Sequence, residues 1–158
     1  MKRGSILFLR TVVVLVAAAV LAFLIWQPQA EGVNQDADLA TIYLDPFVLY
    51  IYLGSLPFFF ALHQVFELLG YVGQFQDVSP AAVTALRRVK HSAWVVLAFL
   101  VGGVAYILLG EGGDDRAGPV AMGIMTSFVC IVTAASAATF ERVLQHAVDL
   151  KVENDLTV

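Results

Sequence analysis

The chain has 158 residues, of which 59% are hydrophobic and 14% charged, with a net charge of −4. Ordinary soluble domains carry about 45–50% apolar and about 25% charged residues, so a water-soluble fold of this size could not hide so much apolar surface. The apolar residues fall in four blocks, which predicts an all-α polytopic membrane protein, a four-transmembrane-helix bundle forming one domain over 1–158.

The first block opens with Lys2, Arg3 and Arg10 and is then uncharged as far as Trp26. A secretory signal has the same order of features. Its apolar core spans about 7–15 residues, however, and here the run is longer, with Pro28 at the −3 position of a cut after Ala30. A retained helix over about 5–26 is expected, with Arg10 reaching back to the surface along its own stem. Residues 27–45 read as a loop holding Glu31, Asp36, Asp38 and Asp45 and no basic residue. Asp45-Pro46 is a helix start signal, an acidic N-cap followed by Pro at the first helical position. The second helix then spans 46–71, with Pro57 inside it as a predicted kink.

Ser79-Pro80 repeats the start signal, with Val78 and Val83 placed as a hydrophobic staple. The third helix spans 80–109, yet its fully apolar part opens only at Ala93. Before that, Ala82, Val83, Leu86 and Val89 share one face and Thr84, Arg87, Arg88 and His91 another, which is helical spacing. Gly102-Gly103 predicts close packing in its membrane half. The fourth helix, 119–152, has no charged residue from Val120 to Phe140 and is amphipathic afterwards. At that length it is about 50 Å long, against a hydrocarbon core of about 30 Å. Glu153 to Val158 form a polar tail.

Eight of the nine basic residues (Lys2, Arg3, Arg10, Arg87, Arg88, Lys90, Arg142, Lys151) fall on one side of a four-helix topology, and only Arg116 falls on the other. The positive-inside rule places both termini in the cytoplasm. The third and fourth helices both overrun the membrane on that side. Being consecutive and joined by a short loop, they should pair antiparallel. In that register Lys90 and His91 lie near Glu141, and Arg87 and Arg88 nearer Asp149, with Leu86, Val89, Val143, Leu144 and Ala147 as the packing stripe.

Few residues suggest chemistry. His63 and Glu67 are four apart on the second helix, so they share a face near its cytoplasmic end. Such a pair could relay protons or sense pH. In the plainer reading, Glu67 pairs with Arg10 or the basic start of the third helix, and His63 bonds a nearby carbonyl. Glu141, Arg142, His146 and Asp149 read as a solvated face with local ion pairs. The acidic outer loops lack calcium-loop spacing. Thr126, Cys130, Ala134 and Ala138 form a small-residue ridge suited to helix packing, within the bundle or across a homodimer. Cys130 is the lone cysteine, so no intrachain disulfide is possible. No metal site, cofactor motif, catalytic constellation or DNA-binding motif is present, and a non-enzymatic protein is expected.

Several segments together are similar to a known family: the opening Met1-Lys2-Arg3-Gly4-Ser5, the Asp45-Pro46-Phe47 entry, Ala85-Leu86-Arg87 with Lys90, and above all the closing Glu153-Asn154-Asp155-Leu156-Thr157-Val158. They resemble the bacterial membrane family called domain of unknown function 2975 over nearly the whole chain. The resemblance implies a multi-pass protein of the bacterial inner membrane with no established activity. Its members often sit beside a small helix-turn-helix DNA-binding protein, which suggests a membrane-linked regulatory pair. The resulting expectation is a membrane sensor or regulatory partner. It would dock a cytoplasmic protein through Arg87, Arg88, Glu141, Asp149 and the tail residues Glu153, Asn154, Asp155 and Leu156. The alternative is a small oligomeric transporter or channel subunit with His63 and Glu67 near its pathway.

Overall fold

A computed structural model describes residues 3–30, 38–74, 79–110 and 116–156. Five helices follow in order: α1 Arg3–Ala30, α2 Leu39–Tyr43, α3 Pro46–Gln74, α4 Pro80–Leu109 and α5 Ala117–Leu156. Four of them, all but the short α2, are long and apolar enough to cross a membrane. Local chemistry explains their starts. Asp45 Oδ1 accepts from the Phe47 and Val48 amides at 2.8 and 3.3 Å, and Ser79 Oγ accepts from Ala81 N at 3.2 Å. These bonds satisfy N–H groups that have no partner inside the helix. Val78, the other half of the expected staple, lies outside the described residues, as do 31–37 and 111–115 of the acidic loops.

Only the third expected helix, 80–109, keeps both its bounds; α1, α3 and α5 each run longer than expected. The first helix continues through Pro28 to Ala30, and the loop after it contains α2. The fourth helix continues to Leu156, so the start of the supposed tail is helical. Nothing between Glu141 and Leu156 breaks a helix: the stretch has no Gly and no Pro.

The four long helices alternate in direction, and their contacts fix the pairing. Arg10 of α1 meets Phe66 and Gly70 of α3, while Leu24 meets Tyr52. Tyr50 of α3 meets Phe99 of α4, and Gln64 meets Arg88. Val104 of α4 meets Gly123 of α5, and Lys90 meets Glu141. Each long helix packs on its neighbour in sequence, α1 on α3, α3 on α4 and α4 on α5. Among the described residues no other pair of long helices packs extensively. The bundle is therefore open, with α1 and α5 at its edges.

Burial is uneven along the helices. Ala82, Val83, Ala85, Leu86, Val89, Ser92 and Ala93 of α4 are buried, and so are Gln64, Ala134, Ala137 and Glu141 on its neighbours. This core lies toward the end of the bundle that carries the basic residues. Elsewhere large apolar side chains face outward, such as Phe8, Leu15 and Met125, as surfaces meant for lipid do.

The α4-facing seam of α5 runs Gly123, Ser127, Cys130, Ala134, Ala137, Glu141, Leu144 and Val148, all buried or half-buried. Steps alternating between four and three residues keep such a seam facing one partner along a left-handed crossing. The predicted ridge advanced by four at every step and so drifted off the seam. It shares Cys130, Ala134 and Ala138 with the inner side of α5, while Thr126 is exposed.

Candidate functional site

At the basic end, one carboxylate joins α4 to α5. Glu141 Oε1 accepts from Arg87 Nε at 2.8 Å and Oε2 from Lys90 Nζ at 2.6 Å. The Glu141 side chain keeps 12% of its exposure, Lys90 26% and Arg87 57%, so the junction is sunk between the helices and opens on the Arg87 side. Arg87 and Lys90 are three apart and share one face of α4, which lets both reach a single acid.

The expected register is corrected here by about two turns for the arginine: Arg87 bonds Glu141 and not Asp149. Arg88 faces the opposite neighbour, donating to Gln64 Oε1 of α3 over a long 3.4 Å. Asp149 accepts from Gln145 on its own helix at 2.9 Å. His91 does not reach Glu141; its Nδ1 lies 2.7 Å from the Arg87 carbonyl one turn back. The register differs because Arg87 and Arg88 lie about 100° apart around α4, which is flanked on two sides, so the two arginines meet different neighbours. Within the expected packing stripe, Leu86 and Val89 are buried and Leu144 and Ala147 half-buried, but Val143 points outward, 62% exposed.

Glu141 is thus an internal tie, whereas Arg87, Arg88 and Asp149 are exposed. Glu153, Asn154 and Leu156 are exposed on the last turn of α5; the Asp155 side chain, Thr157 and Val158 lie outside the described residues. His63 is exposed on α3 and Glu67 half-buried, and no hydrogen bond or ion pair joins them among the described residues. Arg10 does not pair with Glu67. Its guanidinium lies 4.6 Å from the centre of the Phe66 ring, over the space left by Gly70, and its buried Nε has no hydrogen-bond partner among the described residues.

Two polar positions that join helices escaped the sequence reading. Gln64 is 2% exposed, a buried amide on the α4-facing side of α3. Its phase with Phe47, Tyr50 and Gly54 could have revealed it. The second is Tyr52, whose hydroxyl donates to the Leu24 carbonyl of α1 at 3.0 Å. Leu24 is the residue four before Pro28, so its carbonyl has no helical N–H to accept from. No group of three or more metal-ligating side chains occurs among the described residues.

The family described as "Protein of unknown function (DUF2975)" matches residues 5–158. The chain belongs to this family. It is also similar to the "Uncharacterized membrane protein YoaS" of Bacillus subtilis (strain 168), 33% identical over 100% of both chains. No solved structure matches it. This DUF2975 protein is a membrane protein with four spans, and the Arg87–Glu141–Lys90 junction sits where the uncharged run of its last span ends.

Proposed function

We propose that this DUF2975 protein is a non-enzymatic membrane sensor or regulatory partner. It signals by docking a cytoplasmic protein on the ends of α4 and α5 that project beyond the inner membrane, with both termini in the cytoplasm. The observation carrying this reading is the Arg87–Glu141–Lys90 junction. It ties the two projecting segments into one unit while leaving Arg87, Arg88, Asp149 and the last turn of α5 at the surface. Past Phe140 the helix rises about 24 Å to Leu156, a length that membrane crossing does not require. A small helix-turn-helix regulator is the partner class proposed by the family resemblance; the contact on this side is protein to protein, with the nucleic acid left to the partner.

The test is affinity purification from native membranes of the full chain and of a chain lacking Glu153–Val158. A co-purifying cytoplasmic protein that disappears with the deletion supports the reading. Unchanged solute flux in liposomes, with no partner lost, would instead favour a transporter or channel subunit.

A further inference from the structure

The α1–α3 junction holds a cation that the protein itself does not neutralise. The Arg10 guanidinium is turned onto α3, 4.6 Å from the centre of the Phe66 ring and in the space that Gly70 leaves open. An arginine reaching freely for water would have its donors hydrated. Here Nε is buried, and nothing among the described residues accepts from it. No carboxylate offsets the charge either. α1 and α3 hold a single acid between them, Glu67, and the ion pairs among the described residues both belong to Glu141. Arginine does not shed its proton, so the charge stays and calls for an anion. Arg10 as a whole is only half-buried, so a ligand can reach it from outside the bundle.

Depth decides which anion. Gln64 of α3 stands level with Arg88 of α4, and Arg87 and Lys90 stand level with Glu141, the first charged residue after the uncharged run of α5. Phe66 and Gly70 lie two and six residues past Gln64, about 3 and 9 Å further along α3. The headgroup layer on each side of the hydrocarbon is about 5–8 Å thick, and the guanidinium falls at its height. One turn further out, Leu7 and Phe8 of α1 are still 63% and 68% exposed, which suits a lipid neighbour and not open water.

We infer that Arg10, seated on Phe66 and Gly70, binds the phosphate of an anionic phospholipid at the α1–α3 edge of the bundle. The planar guanidinium fork takes two phosphate oxygens side by side, which a lysine cannot do. Basic sites between membrane helices hold lipid headgroups in this way. The site needs Arg10 at a membrane surface, whichever side that surface faces, so it is independent of the docking proposed above.

The experiment uses the full chain, delipidated in a neutral detergent and supplied with dioleoyl phosphatidylglycerol, dioleoyl phosphatidylcholine or inorganic phosphate. Native mass spectrometry counts the bound lipid, and the thermal midpoint is read in parallel. The expected result is a retained phosphatidylglycerol and a raised midpoint, with neither from phosphatidylcholine or inorganic phosphate. Arg10→Gln should lower the retention about tenfold, as the loss of one charge-assisted pair implies, and should fold, since it removes an unpaired charge. Gly70→Leu fills the seat of the guanidinium and should lower retention as far with every charge in place. If its midpoint without lipid shows that it does not fold, Arg10→Gln decides. Arg142→Gln removes an exposed charge elsewhere and should hold retention within about twofold, and Glu67→Gln should keep or raise it. Full retention in Arg10→Gln, a loss in Glu67→Gln, or an equal loss in Arg142→Gln overturns the site. Equal retention of phosphatidylcholine overturns the preference for an anionic lipid. A midpoint raised as far by inorganic phosphate as by phosphatidylglycerol overturns the lipid as the ligand.

Discussion

Pro28 and Tyr52 show how single residues settle local accounts in this molecule. The proline withholds the N–H that would bond the Leu24 carbonyl, and the tyrosine of the neighbouring helix supplies a hydroxyl instead. Tyr52→Phe should therefore destabilise the protein by about 1–3 kcal/mol, the range for a buried polar group left without a partner. In a Pro28→Ala background the same change should cost clearly less, because residue 28 then donates the missing bond itself. Thermal unfolding of the four proteins in one detergent measures the difference. Close by, Tyr43 reaches from α2 to the Ile25 carbonyl at 2.9 Å and also meets the Gln29 amide, which gives the short helix a purpose no loop reading assigned to it. Glu141 is the other decisive residue. Glu141→Gln should cost about 1–2 kcal/mol, below the 3–5 of a fully buried pair because Arg87 is more than half exposed. Arg87→Ala should cost under about 1 kcal/mol for the same reason, and equal losses from the two changes would refute this ranking.

Between elements, glycines decide how closely the helices approach. A Cβ at Gly54 would stand 3.0 Å from the Phe99 ring, and one at Gly102 would stand 2.5 Å from the Tyr50 hydroxyl, which donates to the Phe99 carbonyl at 2.8 Å. One at Gly123 would collide with a methyl of Val104, a branched side chain with little rotamer freedom. Gly123→Leu should thus lose about 1–3 kcal/mol by overpacking the α4–α5 seam. Gly118→Leu on the same helix meets open space and should be close to neutral. Gly70→Ala is a third case: the added methyl meets only the mobile end of Arg10, and the gain in helix propensity, up to about 1 kcal/mol, offsets the displaced guanidinium. Denaturation midpoints in a common micelle rank the three, and a neutral Gly123→Leu would contradict the seam. Helix starts follow the same local logic, so Ser79→Ala should cost about 1 kcal/mol through the lost cap to Ala81.

At the scale of the whole molecule, the open row of long helices leaves α1 and α5 with one long-helix neighbour each among the described residues and a broad outer face. The basic residues gather at one end of this row, which fixes the proposed insertion. A cysteine introduced at Asp38 should react with an impermeant reagent only from outside the cell, and one at Asp149 only from the cytoplasmic side. Reaction of both from one side would reverse the proposed topology. On the proposed insertion, the same polarity explains why the buried core lies toward the basic end: Leu86 then stands past the hydrocarbon, where an apolar side chain gains roughly 1.5–3 kcal/mol by leaving water, whereas in lipid that driving force is absent.

By itself, the sequence determined what is local. The number of spans follows from four uncharged runs, the starts of α3 and α4 from Asp45-Pro46 and Ser79-Pro80, and the family from segments spread along the chain. These depend on backbone hydrogen bonds and caps formed within a few residues of one another. Which faces meet was decided by the tertiary structure alone. Inside a membrane, lipid is as apolar as a protein interior, so hydrophobicity cannot distinguish Met125, which faces outward, from a packed position. After Phe140 α5 carries two apolar stripes, one through Leu144 and Val148 and one through Val143 and Leu150. Only the packing against α4 shows which of them is inside. For the same reason Arg87, not Lys90 alone, reaches Glu141: the rotation of α4 between two neighbours is set by side chains 24 to 54 residues away in the chain.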